Sequence, residues 1–281
     1  MKNLTRLIAV FSIFGTVFFG SSAFTQDLGG MNQRASMFKA SHLIGLSVWS
    51  SDGRRLGQIS NLVVDKMNER VVLAVLSDLP GLGGKVVAVP FGFLTKTGER
   101  LVMRNYGLNE VWIRILNMDA YLSELKRDSS LVGLPSVIDP EWVYRIYMRY
   151  DQPRYWKEFW REEPLSEREL YPLDRLVGSK VRSSEGGREA QISDLIINSS
   201  DGQVAFLILT DVSEKPGRKT AVPFSTLAMK DDNTFVINVK ENMLAGMPLF
   251  NGDVDAVDMR WVTDAYKYFG LQPRWAEDVA R

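Results

Sequence analysis

The sequence predicts a mainly β protein made of two tandem small β-barrels, each followed by a short aromatic helical extension. Three observations lead to this prediction: short apolar runs separated by turn residues, one pattern that recurs at a constant offset of 133 residues, and a second recurring pattern with helical spacing. At 45% hydrophobic and 24% charged residues the 281-residue chain has ordinary globular composition and room for about two domains. The barrels are expected at 40–104 and 173–250.

The repeat keeps a single register over some fifty residues, which chance rarely produces. The first copy places Leu43-Ile44-Gly45 on Leu176-Val177-Gly178, and Ala88-Val89-Pro90-Phe91 on Ala221-Val222-Pro223-Phe224. Between them, residues 59–65 fall on 192–198. Such self-similarity indicates two copies of one structural unit.

Each copy is expected to consist of short strands, at 43–49, 56–64, 71–76 and 85–89 in the first copy. Asp52-Gly53 predicts a hairpin between the first two strands, and the glycine-rich stretch 81–84 a tight connection between the last two. Pro90 should close its strand, since proline cannot donate to a ladder. Closure into a barrel is favoured because it removes exposed sheet edges.

An aromatic helix is predicted after each barrel. Asp139-Pro140 is a typical helix start, and Val143, Tyr147 and Tyr150 share one helical face. The same face recurs in the second copy as Val262, Tyr266 and Phe269. The helices should end before Pro153 and Pro273.

The first copy carries extra sequence, because Gly133-Leu134-Pro135 matches Gly246-Met247-Pro248 at an offset of only 113. About twenty additional residues, 109–130, are expected to form an amphipathic helix that includes Trp112, Ile113 and Tyr121. Residues 105–172 are therefore assigned to a helical insert and aromatic tail, and 251–281 to a C-terminal aromatic helical tail.

The N-terminus has the layout of a secretory signal peptide. Lys2 and Arg6 precede an apolar core at 7–19, and small residues follow up to Ala23. We assign 1–23 as the signal peptide and 24–39 as a flexible linker, and we expect a periplasmic or secreted protein with no stable membrane anchor after cleavage. The alternative is an uncleaved N-terminal anchor, although the core is short for a membrane span.

The charge balance argues against nucleic acid as a partner. Lys+Arg and Asp+Glu both number 34, and phosphate binding needs a surplus of cations. Cysteine is absent, so an exported chain must be stabilised by packing without disulfides.

The first copy resembles the PRC-barrel family. The resemblance rests on Leu-Ile-Gly at 43–45, on Leu-Gly-Gln-Ile-Ser-Asn-Leu-Val-Val-Asp at 56–65, and on the glycine-rich hairpin with the Ala-Val-Pro-Phe that follows it. The second copy matches less closely, with Ala190 in place of Gly57 and Asn198 in place of Asp65. The family includes the soluble domain of the photosynthetic reaction-centre H subunit and a ribosome-maturation factor. The resemblance implies a six-stranded barrel that docks onto a larger assembly, without catalytic residues or cofactors.

The inventory of reactive side chains also favours a non-catalytic protein. His42 is the single histidine, which excludes Ser-His-Asp, Cys-His and histidine-based metal sites. Gly81-Leu82-Gly83-Gly84-Lys85 lacks the spacing and the following helix of a phosphate loop and indicates a hairpin. The alternative is an envelope hydrolase or a calcium-binding protein that uses carboxylates on or near strand ends, with four candidates: Asp65, Asp78, Asp194 and Asp211.

The leading hypothesis is an envelope binding or scaffolding protein that docks onto a protein partner. The aromatic residues after the first helix are the candidate partner-binding set, because Trp, Tyr and Arg are favoured at interfaces. They are Tyr155, Trp156, Phe159 and Trp160. This cluster has no counterpart after the second helix, beyond Trp275.

Overall fold

The computed structural model describes residues 37–50, 53–95, 110–113, 118–127, 132–152, 169–198, 201–212, 218–230, 234–246, 250 and 259–273. The signal peptide assigned to 1–23 lies outside these residues. In chain order the strands are β1 (Met37–Lys39), β2 (Ser47–Ser50), β3 (Arg55–Asp65), β4 (Arg70–Ser77), β5 (Val87–Pro90), β6 (Leu94–Thr95), β7 (Glu110–Ile113), β8 (Leu170–Pro172), β9 (Lys180–Ser183), β10 (Gly186–Asn198), β11 (Val204–Thr210), β12 (Thr220–Pro223), β13 (Leu227–Met229) and β14 (Phe235–Ile237). The helices are α1 (Met118–Arg127), α2 (Pro140–Arg149), α3 (Leu173–Leu176), α4 (Glu241–Gly246) and α5 (Met259–Tyr268), with 3-10 turns at Ala40–His42, Phe91–Phe93 and Phe224–Thr226.

The strands form two sheets of the same order. The N-terminal sheet runs β5-β4-β3-β2-β7-β6, and the C-terminal sheet runs β12-β11-β10-β9-β14-β13. In both sheets most neighbours are antiparallel, and the one parallel pair lies at the same place, β2 with β7 and β9 with β14. The prediction of a mainly β protein is confirmed.

The two end strands of each sheet are adjacent in the chain. β5 ends at Pro90 and β6 begins at Leu94, so only the 3-10 turn Phe91–Phe93 separates them. A turn of three residues spans at most about 10 Å, so each sheet must curl until its two edges approach. No closed barrel is detected among the described residues, and the two six-stranded barrels stay a prediction.

The sheets exchange their first strands. β1, which leads into the N-terminal sheet, pairs with β10 of the C-terminal sheet, and β8, which leads into the C-terminal sheet, pairs with β3. The two registers are equivalent. Met37 of β1 lies opposite Asn198 of β10, and Leu170 of β8 lies opposite Asp65 of β3. Leu170 is the counterpart of Met37, and Asn198 is the counterpart of Asp65, both at the offset of 133. We refer to β1 and β8 as the lead-in strands.

The core continues from one sheet into the other. A single cluster of buried apolar residues includes Leu56 and Val72 of the N-terminal sheet together with Leu195 and Ile237 of the C-terminal sheet. β4 and β11 are buried along nearly their whole length, because one face packs inside the curled sheet and the other lies under α2 or α5. A smaller cluster beneath α5 contains Phe206 and Tyr266.

Three sequence predictions of boundaries are wrong in part. The last three residues of the predicted linker 24–39 form β1, because their backbone groups complete the edge of β10. Trp112 and Ile113 belong to β7 and not to an insert helix, since β7 pairs with β2 inside the N-terminal sheet. The first predicted strand is also shorter than 43–49, because residues 43–45 form a turn before β2 begins at Ser47.

The extra length of the first half is distributed over two places. The difference in number between structurally equivalent residues decreases along the chain in two steps. It is 133 for Leu94 and Leu227, 124 for Ile113 and Ile237, and 119 for Tyr147 and Tyr266. The first half is therefore longer by 14 residues, the difference between 133 and 119. The predicted match of Gly133 with Gly246 is wrong, because Gly246 ends α4, whereas Gly133 donates its N–H to Val86 at the edge of β5.

No helix within the described part of the chain is long and apolar enough to cross a membrane.

Candidate functional site

The two sheets meet at a nearly symmetrical seam, formed by residues 69–71 of the β3–β4 hairpin and 202–204 of the β10–β11 hairpin. The Val71 N–H donates to the Gly202 carbonyl oxygen (2.9 Å), and the Val204 N–H donates to the Glu69 carbonyl oxygen (2.7 Å). Between these bonds Arg70 lies opposite Gln203, its own counterpart at an offset of 133. Reciprocal contacts between equivalent residues define a two-fold interface, here within one chain.

A second pair of equivalent contacts across the seam lies next to the lead-in strands. Asp194, buried in β10, accepts hydrogen bonds from the Ser41 N–H (3.1 Å), the Ser41 hydroxyl and the Leu195 N–H (2.8 Å). Its counterpart Asn61 accepts from the Asp174 N–H (3.4 Å) and the Leu62 N–H (2.9 Å). One contact on each side of the seam thus fixes the turn that follows a lead-in strand.

One ion pair across the seam has no equivalent in the opposite orientation. Arg70 of the N-terminal half forms an ion pair with Asp201 of the C-terminal half, with 3.6 Å between Nη2 and Oδ2. The residue that corresponds to Asp201 is Asn68, whose amide donates to Asp65 within its own hairpin. The N-terminal half supplies the cation, and the C-terminal half supplies the carboxylate.

The two aromatic helices are fastened to the sheets by equivalent hydrogen bonds. The Tyr147 hydroxyl of α2 donates to the Val72 carbonyl oxygen (2.9 Å), and the Tyr266 hydroxyl of α5 donates to the Ala205 carbonyl oxygen (2.9 Å). Burial raises the pKa of the Tyr147 phenol well above its usual range. The predicted start of α2 is confirmed, because the Asp139 side chain accepts from the Glu141 N–H (2.9 Å).

The end of α2 carries a pair of phenols that α5 lacks. The hydroxyls of Tyr121 and Tyr150 lie 2.7 Å apart, and the Tyr150 ring packs against Phe93 with 5.0 Å between centroids. Burial is the main cause that raises the pKa of both phenols. An ion pair between Arg149 and Glu124 also joins α1 to α2.

The outer face of α2 differs from that of α5. Met148 of α2 is 54% exposed, Val137 just before the helix is 78% exposed, and Tyr144 on the same face is half-buried. The helices correspond at an offset of 119, which places the exposed polar residues Thr263 and Lys267 of α5 at the positions of Tyr144 and Met148. We call the set Val137, Tyr144 and Met148 the outer stripe of α2.

The carboxylate candidates are not brought together as pairs. Asp65 ends β3 opposite Arg70, whereas Asp78 follows Ser77 at the far end of β4, so the length of that eight-residue strand separates them. Asp65 accepts from the N–H (3.0 Å) and the amide of Asn68, and Asp194 is held by Ser41. Asp211, like Asp78, has a left-handed backbone (φ 63° and 57°), as a residue that turns the chain after a strand.

The described residues contain no group of three or more His, Cys, Asp or Glu side chains placed to hold a metal ion. His42 is exposed and lies in the 3-10 turn Ala40–His42. Residues 81–85 connect the antiparallel strands β4 and β5, which confirms the hairpin. The alternative of a hydrolase or a calcium-binding protein stays a prediction.

The predicted partner-binding residues, Tyr155, Trp156, Phe159 and Trp160, lie outside the described residues. Sequence reasoning missed the seam, although one signal was present: the 133-residue offset also pairs Met37 with Leu170 and Ser41 with Asp174. That offset could have extended the repeat to the lead-in strands. It could not show that these strands are exchanged.

A comparison with family descriptions matches residues 35–109 to the PRC-barrel domain. The matched range begins just before β1 and ends just before β7. No such match is found for the second half. The chain matches no curated protein.

Proposed function

We propose that this chain is an exported, non-catalytic binding protein of the cell envelope, in which two PRC-type barrels form a fixed pair that docks onto a protein partner. The matched PRC-barrel domain supports the assignment of the first barrel. The same strand order, the equivalent exchange of lead-in strands and the three-residue turn between the edge strands support a second barrel at 173–250.

The observation that carries the proposal is the unequal outer faces of two otherwise equivalent helices. α2 and α5 are held on their sheets by the same tyrosine hydrogen bond, so packing requires the same inner face of both. Packing on the sheet does not account for the apolar Met148, which is 54% exposed at the position where α5 has the exposed Lys267. Exposed apolar residues next to aromatic sequence are typical of protein–protein interfaces.

The four aromatic candidates directly follow α2 in the sequence. We propose that Tyr155, Trp156, Phe159 and Trp160 bind the same partner as the outer stripe of α2. A partner that buries Met148 together with two or more aromatic rings would gain most of its binding energy from these few side chains.

The test uses the mature, tagged protein cross-linked in envelope extracts of its native host, with captured proteins identified by mass spectrometry. Met148→Lys installs the residue found at the corresponding position of α5, and Phe159→Ala/Trp160→Ala removes two rings of the aromatic set. Both variants should lose the partner while their thermal midpoints stay at the wild-type value. Lys267→Ala on α5 is the matched control and should retain the partner.

Retention of the partner by both α2-side variants would refute this docking surface. A loss of several kcal/mol in Phe159→Ala/Trp160→Ala would instead show that these rings hold the protein together, since truncation of a buried aromatic costs about 3–5 kcal/mol. Export is tested separately. In the protein isolated from its host, cleavage should fall near Ala23 to Thr25, and an intact Met1 or Lys2 at the N-terminus would contradict it.

A further inference from the structure

The seam joins two equivalent surfaces, and such a surface can in principle pair with a copy of itself. An N-terminal half could pair with another N-terminal half from a second chain, and the same holds for the C-terminal half. The backbone hydrogen bonds at residues 69–71 and 202–204 would be the same in every combination. Any preference among the combinations must therefore come from side chains.

Several contacts that involve side chains would differ between the combinations. In the observed pairing Arg70 meets Asp201 and lies opposite the neutral Gln203. In a pair of N-terminal halves Arg70 would lie opposite a second Arg70, and Asn68 would replace Asp201. Like charges directly opposite each other destabilise a strand pair, and the ion pair would also be lost.

A pair of C-terminal halves would be disfavoured at the lead-in strands. The position of Ser41 would be occupied by Asp174, beside the buried carboxylate of Asp194. The hydroxyl donor would be replaced by a second carboxylate. In the observed pairing Asp174 lies beside the neutral amide of Asn61, and Asp194 receives the hydroxyl of Ser41.

We infer that the seam is a selective pairing surface whose partner is the other half of the same chain and not a second copy of the same half. Ser41 with Asp194, Asp174 with Asn61, and Arg70 with Asp201 determine this choice. Each contact is favourable when an N-terminal half pairs with a C-terminal half. A pair of two identical halves would place two like charges together or leave a charge without its counterpart. Specificity of this kind rests on repulsion in the wrong pair as much as on attraction in the right one.

The test changes residues of the intact chain so that they imitate the contacts of a wrong pair and then those of the natural pair. Ser41→Asp places a carboxylate beside Asp194, as a pair of C-terminal halves would. The double variant Ser41→Asp/Asp194→Asn recreates the natural arrangement of Asp174 beside Asn61. Ser41→Asp should lower the thermal midpoint by about 5 °C or more, and the double variant should recover at least half of that loss.

The neighbouring residue provides the control. His42→Asp adds the same charge in the same exposed turn, and Asp194→Asn should not rescue it if the repulsion is local to position 41. Recovery in the Ser41 pair without recovery in the His42 pair supports the inference. A double variant no more stable than Ser41→Asp alone would overturn it, and so would an equal rescue of His42→Asp. If Ser41→Asp does not fold, the double variant Ser41→Asp/Asp194→Asn should still fold. A double variant that also fails to fold would overturn the inference.

A second variant tests the centre of the seam. Gln203→Arg places an arginine opposite Arg70, as in a pair of N-terminal halves. Gln203→Met, of similar length without charge, is the matched control. The arginine variant should unfold at a lower midpoint than the control, and added salt should recover part of the difference, because position 203 is buried and ions screen the repulsion there only in part. A salt dependence equal to that of Gln203→Met would overturn the role of Arg70.

Discussion

Substitution of Gly202 by alanine tests how closely the two halves approach at the seam. Gly202 has φ +79°, and a Cβ built there would lie 2.8 Å from Cδ1 of Phe91 and 3.1 Å from the Val71 carbonyl oxygen. Gly53 has the same φ, +79°, and a Cβ there meets nothing within 4 Å. The two glycines share the backbone requirement and differ in the close approach.

The magnitudes follow from this difference. Alanine in the left-handed region costs about 1–2 kcal/mol at either position. At Gly202 the Phe91 ring can turn away, but the Val71 carbonyl belongs to the seam backbone and must shift. Overpacking of this kind costs a further 1–3 kcal/mol. We therefore expect Gly202→Ala to lose about 1–3 kcal/mol more than Gly53→Ala.

Urea unfolding followed by tryptophan fluorescence and circular dichroism measures both variants under one condition. Equal losses of unfolding free energy in Gly202→Ala and Gly53→Ala would refute the close approach of Gly202 to Phe91 and Val71. A fall in the denaturant slope in Gly202→Ala would show instead that the two halves no longer unfold together.

The remaining predictions concern the helices and the buried phenols. Tyr147→Phe and Tyr266→Phe each remove one buried hydroxyl from an equivalent hydrogen bond, so each should cost about 1 kcal/mol of unfolding free energy, and a large difference between them would contradict their equivalence. Asp139→Ala removes the cap of α2 and should cost about 1 kcal/mol, whereas Asp139→Asn should restore most of it. The raised pKa values of Tyr121 and Tyr150 mean that the folded state favours the neutral phenols, so this stability is complete below about pH 10 and falls as the pH rises further. Thermal midpoints measured from pH 8 to 12 should fall less steeply in Tyr121→Phe/Tyr150→Phe than in the wild type.

The local elements were accessible from the sequence because their causes are local. Asp139-Pro140 fixes the start of α2, and the apolar β-branched run 70–77 forms β4, since capping and strand patterning act within a few residues. The glycines at 81–84 likewise predict the hairpin between β4 and β5. The offset of 133 predicted equivalent strands in both halves, and the sheets share one strand order.

The tertiary structure decided which sheet each lead-in strand joins. Met37–Lys39 has too few residues to specify a partner by its own pattern, and β3 and β10 offer equivalent edges to it. The same reasoning applies to Trp112, whose apolar neighbours fit a helix or a strand until pairing with β2 selects the strand. The same holds for the aspartates, whose residue types suggested a carboxylate site. Asp65 lies beside one end of β4 and Asp78 follows its other end, and the Ser41 hydroxyl donates a hydrogen bond to Asp194. Sequence patterns report what a segment can bury and how it turns, whereas the choice among equivalent partners is made by contacts between residues far apart in the chain.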